Sequence, residues 1–309
     1  MPPFDHTVEL TSVPFFPQKK YECGPASLAM VLNFAGRRVT PAELAPKVYL
    51  PGRHGSLAAE LVAATWREGR LPYVIAPRLH DLLSEVAAGH PVLVLENLAF
   101  AWYPDWHYAV VVGFNLRRGL VMLRSGKEAR NVIPILLFQR VWARSHDWGM
   151  VVLAPGQMPA TVHRLPYLKA AWGLERLGHL HAAMRAYRAA TLRWPNSLDA
   201  AMGFGNSLYA LGRKRMAASV FRRAAKAHAS AAAFNNLAQT LSDLRCYPAA
   251  VHAALRAVAL GKQKHPLYEK TLREIQRVAL KARTPSCQLS SASDRGHHGS
   301  AARSPARAQ

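Results

Sequence analysis

Apolar positions near the N-terminus recur at the three-to-four-residue spacing of helices that bury one face. Gly24-Pro25 begins the first such segment and Gly36 ends it. Thr40-Pro41-Ala42-Glu43 combines an N-cap, a proline in the first turn and a capping-box glutamate, which predicts a second helix. Ser56 is the predicted cap of a third. The spacing therefore predicts four helices, over 24–36, from 41 onward, from 57 to about 68 and over 80–89.

The pattern then changes to short runs rich in β-branched residues, which are typical of strands. There are four such runs, at 91–96, 107–114, 120–124 and 148–153. The second and third are joined by five residues, short enough for a hairpin. Helices followed by an antiparallel sheet predict an α+β domain. Pro155-Gly156 and Pro159 indicate a linker behind it.

From about residue 164 the sequence repeats with a period near 34 residues. Small and aromatic positions recur in register: Ala171, Leu174, Gly178, Ala183, Tyr187 and Ala190 return as Gly205, Leu208, Gly212, Ala217, Phe221 and Ala224, and more weakly as Ala238, Leu241, Ala250, Ala254 and Ala257. This spacing resembles the tetratricopeptide repeat. A generic alanine-rich helical bundle is the alternative. A capping helix is expected over 265–283, and the tail from 284 is expected to be disordered.

Composition adds a charge asymmetry to this division. Up to residue 160 there are 16 Lys and Arg against 12 Asp and Glu, whereas the remainder has 24 against 6, for a total formal charge of +22. Such a charge is compatible with nucleic acid or an anionic membrane surface as partner. No nucleic-acid motif accompanies it, so we favour arginines on solvated helix faces.

Cysteine usage and apolar runs define the expected compartment. The three cysteines, at 23, 246 and 287, are too widely separated to predict a disulfide framework or a zinc site. The first residues have no signal-peptide pattern, and no apolar run is long enough for a transmembrane segment. We therefore expect a cytoplasmic protein without metal or cofactor, or a periplasmic or membrane-anchored one if the true start lies upstream.

The candidate nucleophile is Cys23, which directly precedes the predicted start of the first helix. A helix N-terminus lowers a thiol pKa by placing partial positive charge beside the sulfur. Gly24 is expected to allow close approach of a substrate backbone. Gln18, five residues earlier, can donate its amide to an oxyanion alongside the Cys23 N–H. A buried structural cysteine is the commoner fate of an isolated Cys, and the Gln and the Gly-Pro argue against it here.

The candidate base is His107, which opens the strand His107-Tyr108-Ala109-Val110-Val111-Val112-Gly113. A nucleophile on a helix and a base on a facing sheet, far apart in sequence, are what papain-like sites require. Trp102-Tyr103-Pro104-Asp105-Trp106 precedes it directly and either lines a substrate cleft or belongs to the core.

Together these motifs, with Pro14-Phe15-Phe16-Pro17-Gln18, Gly55-Ser56 and Pro91-Val92-Leu93-Val94, resemble the bacteriocin-processing, or double-glycine leader, cysteine peptidases over roughly residues 10–155. The resemblance implies a papain-like fold in which Gln18 is the oxyanion donor, Cys23 the nucleophile and His107 the general base. That family orients its histidine with an Asp, and Ser125 stands at the corresponding place. A serine hydroxyl can accept the imidazole N–H but carries no charge. Asn97 and Asp105 are alternative orienting residues.

The predicted architecture is an α+β papain-like cysteine peptidase domain followed by an all-α tetratricopeptide-repeat solenoid. The peptidase domain is predicted over 1–157 and the repeat domain over 158–283, followed by a basic tail at 284–309. The expected function is thiolate cleavage of a peptide or protein substrate, with the repeats recruiting substrate or a protein partner. Two alternatives are a catalytically impaired peptide-binding module, which Ser125 supports, and a basic binder of nucleic acid or membrane.

Overall fold

The computed structural model describes residues 7–18, 21–53, 55–261, 266–282 and 287. By its internal contacts the chain separates into two compact units, 1–213 and 214–309, which are described here one at a time. The domain boundary after residue 157 stays a prediction. The predicted disordered tail lies outside the described residues except for Cys287.

The first unit begins with an α+β region of five helices and nine strands. Its helices are α1 (Cys23–Phe34), α2 (Pro41–Val48), α3 (Ala58–Arg67), α4 (Leu79–Ala87) and α5 (Ile135–Ala143). Its strands are β1 (Thr7–Glu9), β2 (Tyr49–Leu50), β3 (Gly55–Ser56), β4 (Leu71–Val74), β5 (Val92–Asn97), β6 (Trp106–Asn115), β7 (Leu120–Ser125), β8 (Glu128–Pro134) and β9 (Gly149–Leu153). The predicted α+β class with an antiparallel sheet is confirmed.

The main sheet has the strand order β4-β9-β5-β6-β7-β8, and β1 also pairs with β6. All of these pairings are antiparallel, and the predicted hairpin joins β6 to β7. A register shift between Val111 and Gly113 interrupts the β6–β7 ladder. The central strands are buried on both faces, which explains why β5 and β6 read as continuous apolar runs rather than as alternating ones.

A separate core lies on each face of the sheet because successive side chains of a strand point in opposite directions. Tyr108 and Val110 pack on one face with α1, whose residues Gly24–Leu32 are all buried. Ala109 and Val111 pack on the other face with α4 and α5.

Several local predictions need correction. The capping box of α2 is present, with the Glu43 N–H donating to Thr40 Oγ1 and the Thr40 N–H to Glu43. The third helix, however, has Leu57 as its N-cap, and Ser56 belongs to β3. The edge strand β8, the short β4 and α5 were not predicted. Since β8 is largely exposed, it lacks the apolar run by which the other strands are recognised.

The first unit ends with three helices at the spacing of the predicted repeats, α6 (Arg164–Arg176), α7 (Leu180–Arg193) and α8 (Leu198–Ala210). A Cβ on Gly203 would come within 2.3 Å of the Tyr187 ring, so the absent side chain lets α8 approach α7. Likewise, a Cβ on Gly173 would meet the Trp66 ring of α3 at 2.1 Å. Small residues are therefore where these helices pack closely.

The second unit contains α9 (Lys214–His228), α10 (Ala231–Asp243), α11 (Tyr247–Leu260) and α12 (Pro266–Lys281). Thus the C-terminal region is helical from residue 164, as predicted. A disulfide joins Cys246 to Cys287, so the expectation that the cysteines form no disulfide framework is wrong for this pair. Helix α12 packs on both α10 and α11, and Cys246 directly precedes α11. None of the described helices has the length and apolar character needed to cross a membrane.

Candidate active site

Cys23 is the first residue of α1 and packs against the core that α1 shares with β6. The pocket that it lines is also lined by Gln18 and His107, so three of the four predicted site residues share one cleft. Ser125 does not line this pocket, but lies behind the imidazole ring. The Nε2 atom of His107 is 2.9 Å from Ser125 Oγ.

The His107–Ser125 contact allows donation in either direction, because a serine hydroxyl can both donate and accept. Ser125 Oγ can accept a hydrogen bond from Nε2–H, and the ring in that tautomer carries its lone pair at Nδ1. Nδ1 is then the atom available to a thiol proton. Ser125 therefore occupies the position of an orienting residue, although it supplies no charge.

Neither alternative orienting residue contacts the ring through a hydrogen bond. Asn97 instead holds the following loop: its Oδ1 accepts from the N–H groups of Ala99 at 3.1 Å and Asp105 at 3.0 Å, and its Nδ2 donates to the Phe100 carbonyl at 3.3 Å. Asp105 is exposed, and its charge raises the pKa values of both His107 and Cys23. It acts on the site through space.

Burial dominates the electrostatics of the nucleophile and the base. It raises the pKa of the Cys23 thiol, against the opposing effect of the N–H groups of Tyr108, Gly24 and Cys23 itself. The expectation that the pKa of the Cys23 thiol is lowered is therefore wrong. Burial also lowers the pKa of His107. Both shifts favour the uncharged pair, so forming a thiolate requires transfer of the thiol proton to the imidazole and compensation of the resulting charge.

Gln18 is buried and bound on both sides of its amide. Its Oε1 accepts from the Gly126 N–H at 3.1 Å, which fixes the orientation of the amide. Its Nε2 lies 3.1 Å from Ser27 Oγ and 3.1 Å from the Tyr108 carbonyl, and those two oxygens are 3.0 Å apart. The two acceptors thus subtend roughly 60° at Nε2, whereas the two amide N–H bonds diverge by about 120°. The two N–H groups can therefore serve both oxygens only through bent hydrogen bonds, and Gln18 itself lines the cleft.

Gly24 has a different role from the one expected. A Cβ there would lie 2.5 Å from Ser56 Oγ and 2.7 Å from Ser56 Cβ, so the space above Gly24 is filled by Ser56 and not open to a substrate backbone. Ser56 Oγ is buried and has no hydrogen-bond partner within the described part of the chain. It lines the same cleft, and sequence reasoning had assigned it only to a helix cap.

The chain just before the nucleophile is strained. Tyr21 has a φ of +66°, in the left-handed region that non-glycine residues rarely adopt. Such conformations cost about 1–3 kcal/mol and concentrate at functional sites, where the surrounding structure enforces them. Tyr21 itself lines the cleft.

The aromatic segment before His107 is exposed, which excludes the alternative that it belongs to the core. Trp102 is 82% and Tyr103 71% exposed, and the Phe100 and Trp102 rings stack with centroids 5.6 Å apart. Pro104, Asp105 and Trp106 line the cleft, so this surface is continuous with the site. The described residues contain no group of three or more His, Cys, Asp or Glu that could hold a metal.

Comparison with known families gives a match within the first half of the chain. Residues 10–146 match the model of the Peptidase_C39 like family. The matched range contains Gln18, Cys23, His107 and Ser125. A crystal structure described as a "putative C39-like peptidase from Bacillus anthracis" is similar to this chain, with 18% identity, a TM-score of 0.42, and coverage of 50% of this chain and 100% of that one. No curated protein matches the chain.

Proposed function

We propose that the protein is a cysteine peptidase that cleaves a peptide or protein substrate. The observation that carries the proposal is the shared cleft of Cys23 and His107, in which Ser125 binds Nε2 and leaves Nδ1 to the thiol. Cys23 is the nucleophile and His107 the general base and acid. A double-glycine cleavage site remains a prediction from the family resemblance.

The mechanism follows the papain-like scheme. His107 Nδ1 takes the Cys23 proton, and the thiolate attacks the scissile carbonyl carbon to form a tetrahedral oxyanion. The Cys23 N–H and the side-chain amide of Gln18 are the proposed donors to that oxygen. The imidazolium then gives its proton to the leaving amine, and water, deprotonated by His107, releases the acyl group and restores the thiol.

The test of this function is Cys23 reactivity together with cleavage. We expect iodoacetamide to alkylate Cys23 at neutral pH faster than it alkylates glutathione, and His107→Ala to remove the difference. A peptide library incubated with wild type should show new amino termini that are missing with Cys23→Ala. Wild-type Cys23 with glutathione-like reactivity and no cleavage would instead identify a catalytically impaired peptide-binding module.

We further propose that the helical repeats form a tetratricopeptide-type solenoid that recruits the substrate or a protein partner. Its support is the 34-residue register together with a groove between α6 and α8, lined by Leu165, Trp172, Met202, Lys169 and Asn206 among others. Trp172 is half exposed at 51%. Trp172→Ala should raise KM for a long protein substrate and leave cleavage of a short peptide unchanged. Equal effects on both would contradict recruitment.

A further inference from the structure

Glu96 is the direct cross-strand partner of His107. In the antiparallel β5–β6 ladder the two residues stand opposite each other, as Val94 and Ala109 do two pairs further along. Opposed residues share one face of a sheet, with Cβ atoms about 5 Å apart. His107 therefore has Ser125 on the β7 side and Glu96 on the β5 side.

This carboxyl is in an unusual place. Val92 and Val94, on the same face of β5, belong to the apolar core, and Glu96 is itself only 3% exposed. Burial raises its pKa to about 7, and no ion pair or hydrogen bond contributes to that shift. An apolar residue would suit the strand better, so the fold gives no reason for a carboxyl here.

The chemistry of the site supplies such a reason. Transfer of the Cys23 proton to His107 Nδ1 creates an imidazolium whose Nε2–H remains on a neutral serine. Both Cys23 and His107 are shifted by burial towards their uncharged forms. A carboxylate beside the ring would offset the cost of this charge.

We propose that Glu96 is a positioning and charge-compensating residue for His107, supplying from β5 the negative charge that Ser125 lacks. The proposal rests on the proposed peptidase function. When the imidazolium forms, Glu96 is ionised, its own proton having passed to water, and it compensates the positive charge until the imidazolium gives its proton to the leaving amine. Titratable and charged groups near this end of β5 include Cys23 in the cleft, Asp105 in the loop before His107, and Arg144, which donates to the Asn97 and Ala99 carbonyls.

The experiment compares Glu96→Gln with Asp105→Asn, since both remove one carboxylate near His107. The readouts are the titration midpoint of the His107 ring carbons by NMR and the pH dependence of Cys23 alkylation by iodoacetamide. We expect Glu96→Gln to lower the His107 midpoint by about one pH unit and to slow alkylation at pH 6–7 about tenfold. Because Asp105 is exposed, Asp105→Asn should have a smaller effect that salt abolishes.

Rescue separates a charge effect from a packing effect. In the Glu96→Gln, Ser125→Asp double variant the charge returns from the other neighbouring strand, and the midpoint and the alkylation rate should recover. An unchanged His107 titration midpoint in Glu96→Gln would overturn the proposal. So would a decrease in the midpoint that is no larger than the one caused by Asp105→Asn. Glu96→Leu serves as a second variant if the glutamine form folds poorly. If wild-type Cys23 has glutathione-like reactivity, the peptidase function fails, while the His107 midpoint still tests Glu96.

Discussion

His107 Nε2 and Ser125 Oγ lie 2.9 Å apart on the neighbouring strands β6 and β7. The bond orients the imidazole through a neutral partner, where a carboxylate would also stabilise its charged form. Ser125 lines no part of the cleft, so it can act on the reaction only through the ring.

Replacing Ser125 should therefore lower or raise the activity, depending on whether the new side chain removes the hydrogen bond or adds a charge. Ser125→Ala removes one neutral hydrogen bond and should lower kcat/KM about 3- to 10-fold, whereas Ser125→Asp should raise it at neutral pH. The measurement is kcat/KM on a peptide selected from the library. Equal activity of all three proteins would mean that the bond does not orient His107 in the reaction.

Gln18 offers a second test because its two amide atoms have separate roles. Gln18→Glu keeps an oxygen for the Gly126 N–H but places a negative charge beside the developing oxyanion, and kcat should fall by about 10²–10³-fold. Gln18→Ala should lower kcat similarly and also reduce stability, because it leaves the Gly126 N–H without this acceptor. A glutamate variant that is unstable but active would contradict oxyanion donation.

The exposed aromatic segment should contribute to substrate binding rather than to the fold. Trp102→Ala should raise KM about 5- to 10-fold, consistent with the loss of one aromatic contact, with little change in kcat or in the free energy of unfolding. Leu136→Ala is a matched control, since Leu136 is 68% exposed on α5 and does not line the cleft. Equal KM values for the two variants would leave the loop without a role in binding.

The sequence predicted the cleft residues correctly where a motif has a fixed spacing and a specific residue type at each position. The spacing from Gln18 to Cys23-Gly24-Pro25, and a histidine opening an apolar strand, brought three residues to one cleft. Glu96 could not be predicted as a site residue from the sequence. At the end of an apolar run it has the pattern of a polar residue that ends a strand, and only the strand register places it opposite His107. Ser56 likewise has the residue type of a helix cap, and the contact with Gly24 that defines its position is set by tertiary packing.

The fully buried Glu85 should account for part of the acid sensitivity of the fold. Its carboxylate accepts from the Ala160 and Thr161 N–H groups at 3.0 and 2.8 Å and from Thr161 Oγ1 at 2.6 Å, and it pairs with His90 Nδ1 at 2.8 Å. Burial alone would raise the pKa of this carboxyl, but these bonds outweigh it and hold the pKa below its ordinary value of 4.5. Through these hydrogen bonds Glu85 links the segment after β9 to α4.

Glu85→Gln should lower the free energy of unfolding by about 2–3 kcal/mol at pH 7. A depressed folded-state pKa contributes stability that is complete above the unfolded value and is lost as pH falls through the folded one. The difference from wild type should therefore shrink below about pH 4.5 in urea titrations. Glu60→Gln, a partly exposed carboxylate on α3, should stay within about 0.5 kcal/mol of wild type at every pH. A Glu85 effect independent of pH would assign its role to shape rather than charge.

The Cys246–Cys287 disulfide should stabilise the second unit without affecting Cys23. The bond spans 41 residues, and the loop-closure entropy it removes from the unfolded chain corresponds to roughly 4 kcal/mol. Reductant should lower the unfolding midpoint of the helical region, and Cys246→Ser with Cys287→Ser should give the same low midpoint with or without reductant. Because Cys23 lies in the first unit, its alkylation rate under reducing conditions should match in wild type and the double serine variant. A midpoint that reductant does not move in the wild type would show that the bond adds no stability to the packing of α12 on α10 and α11.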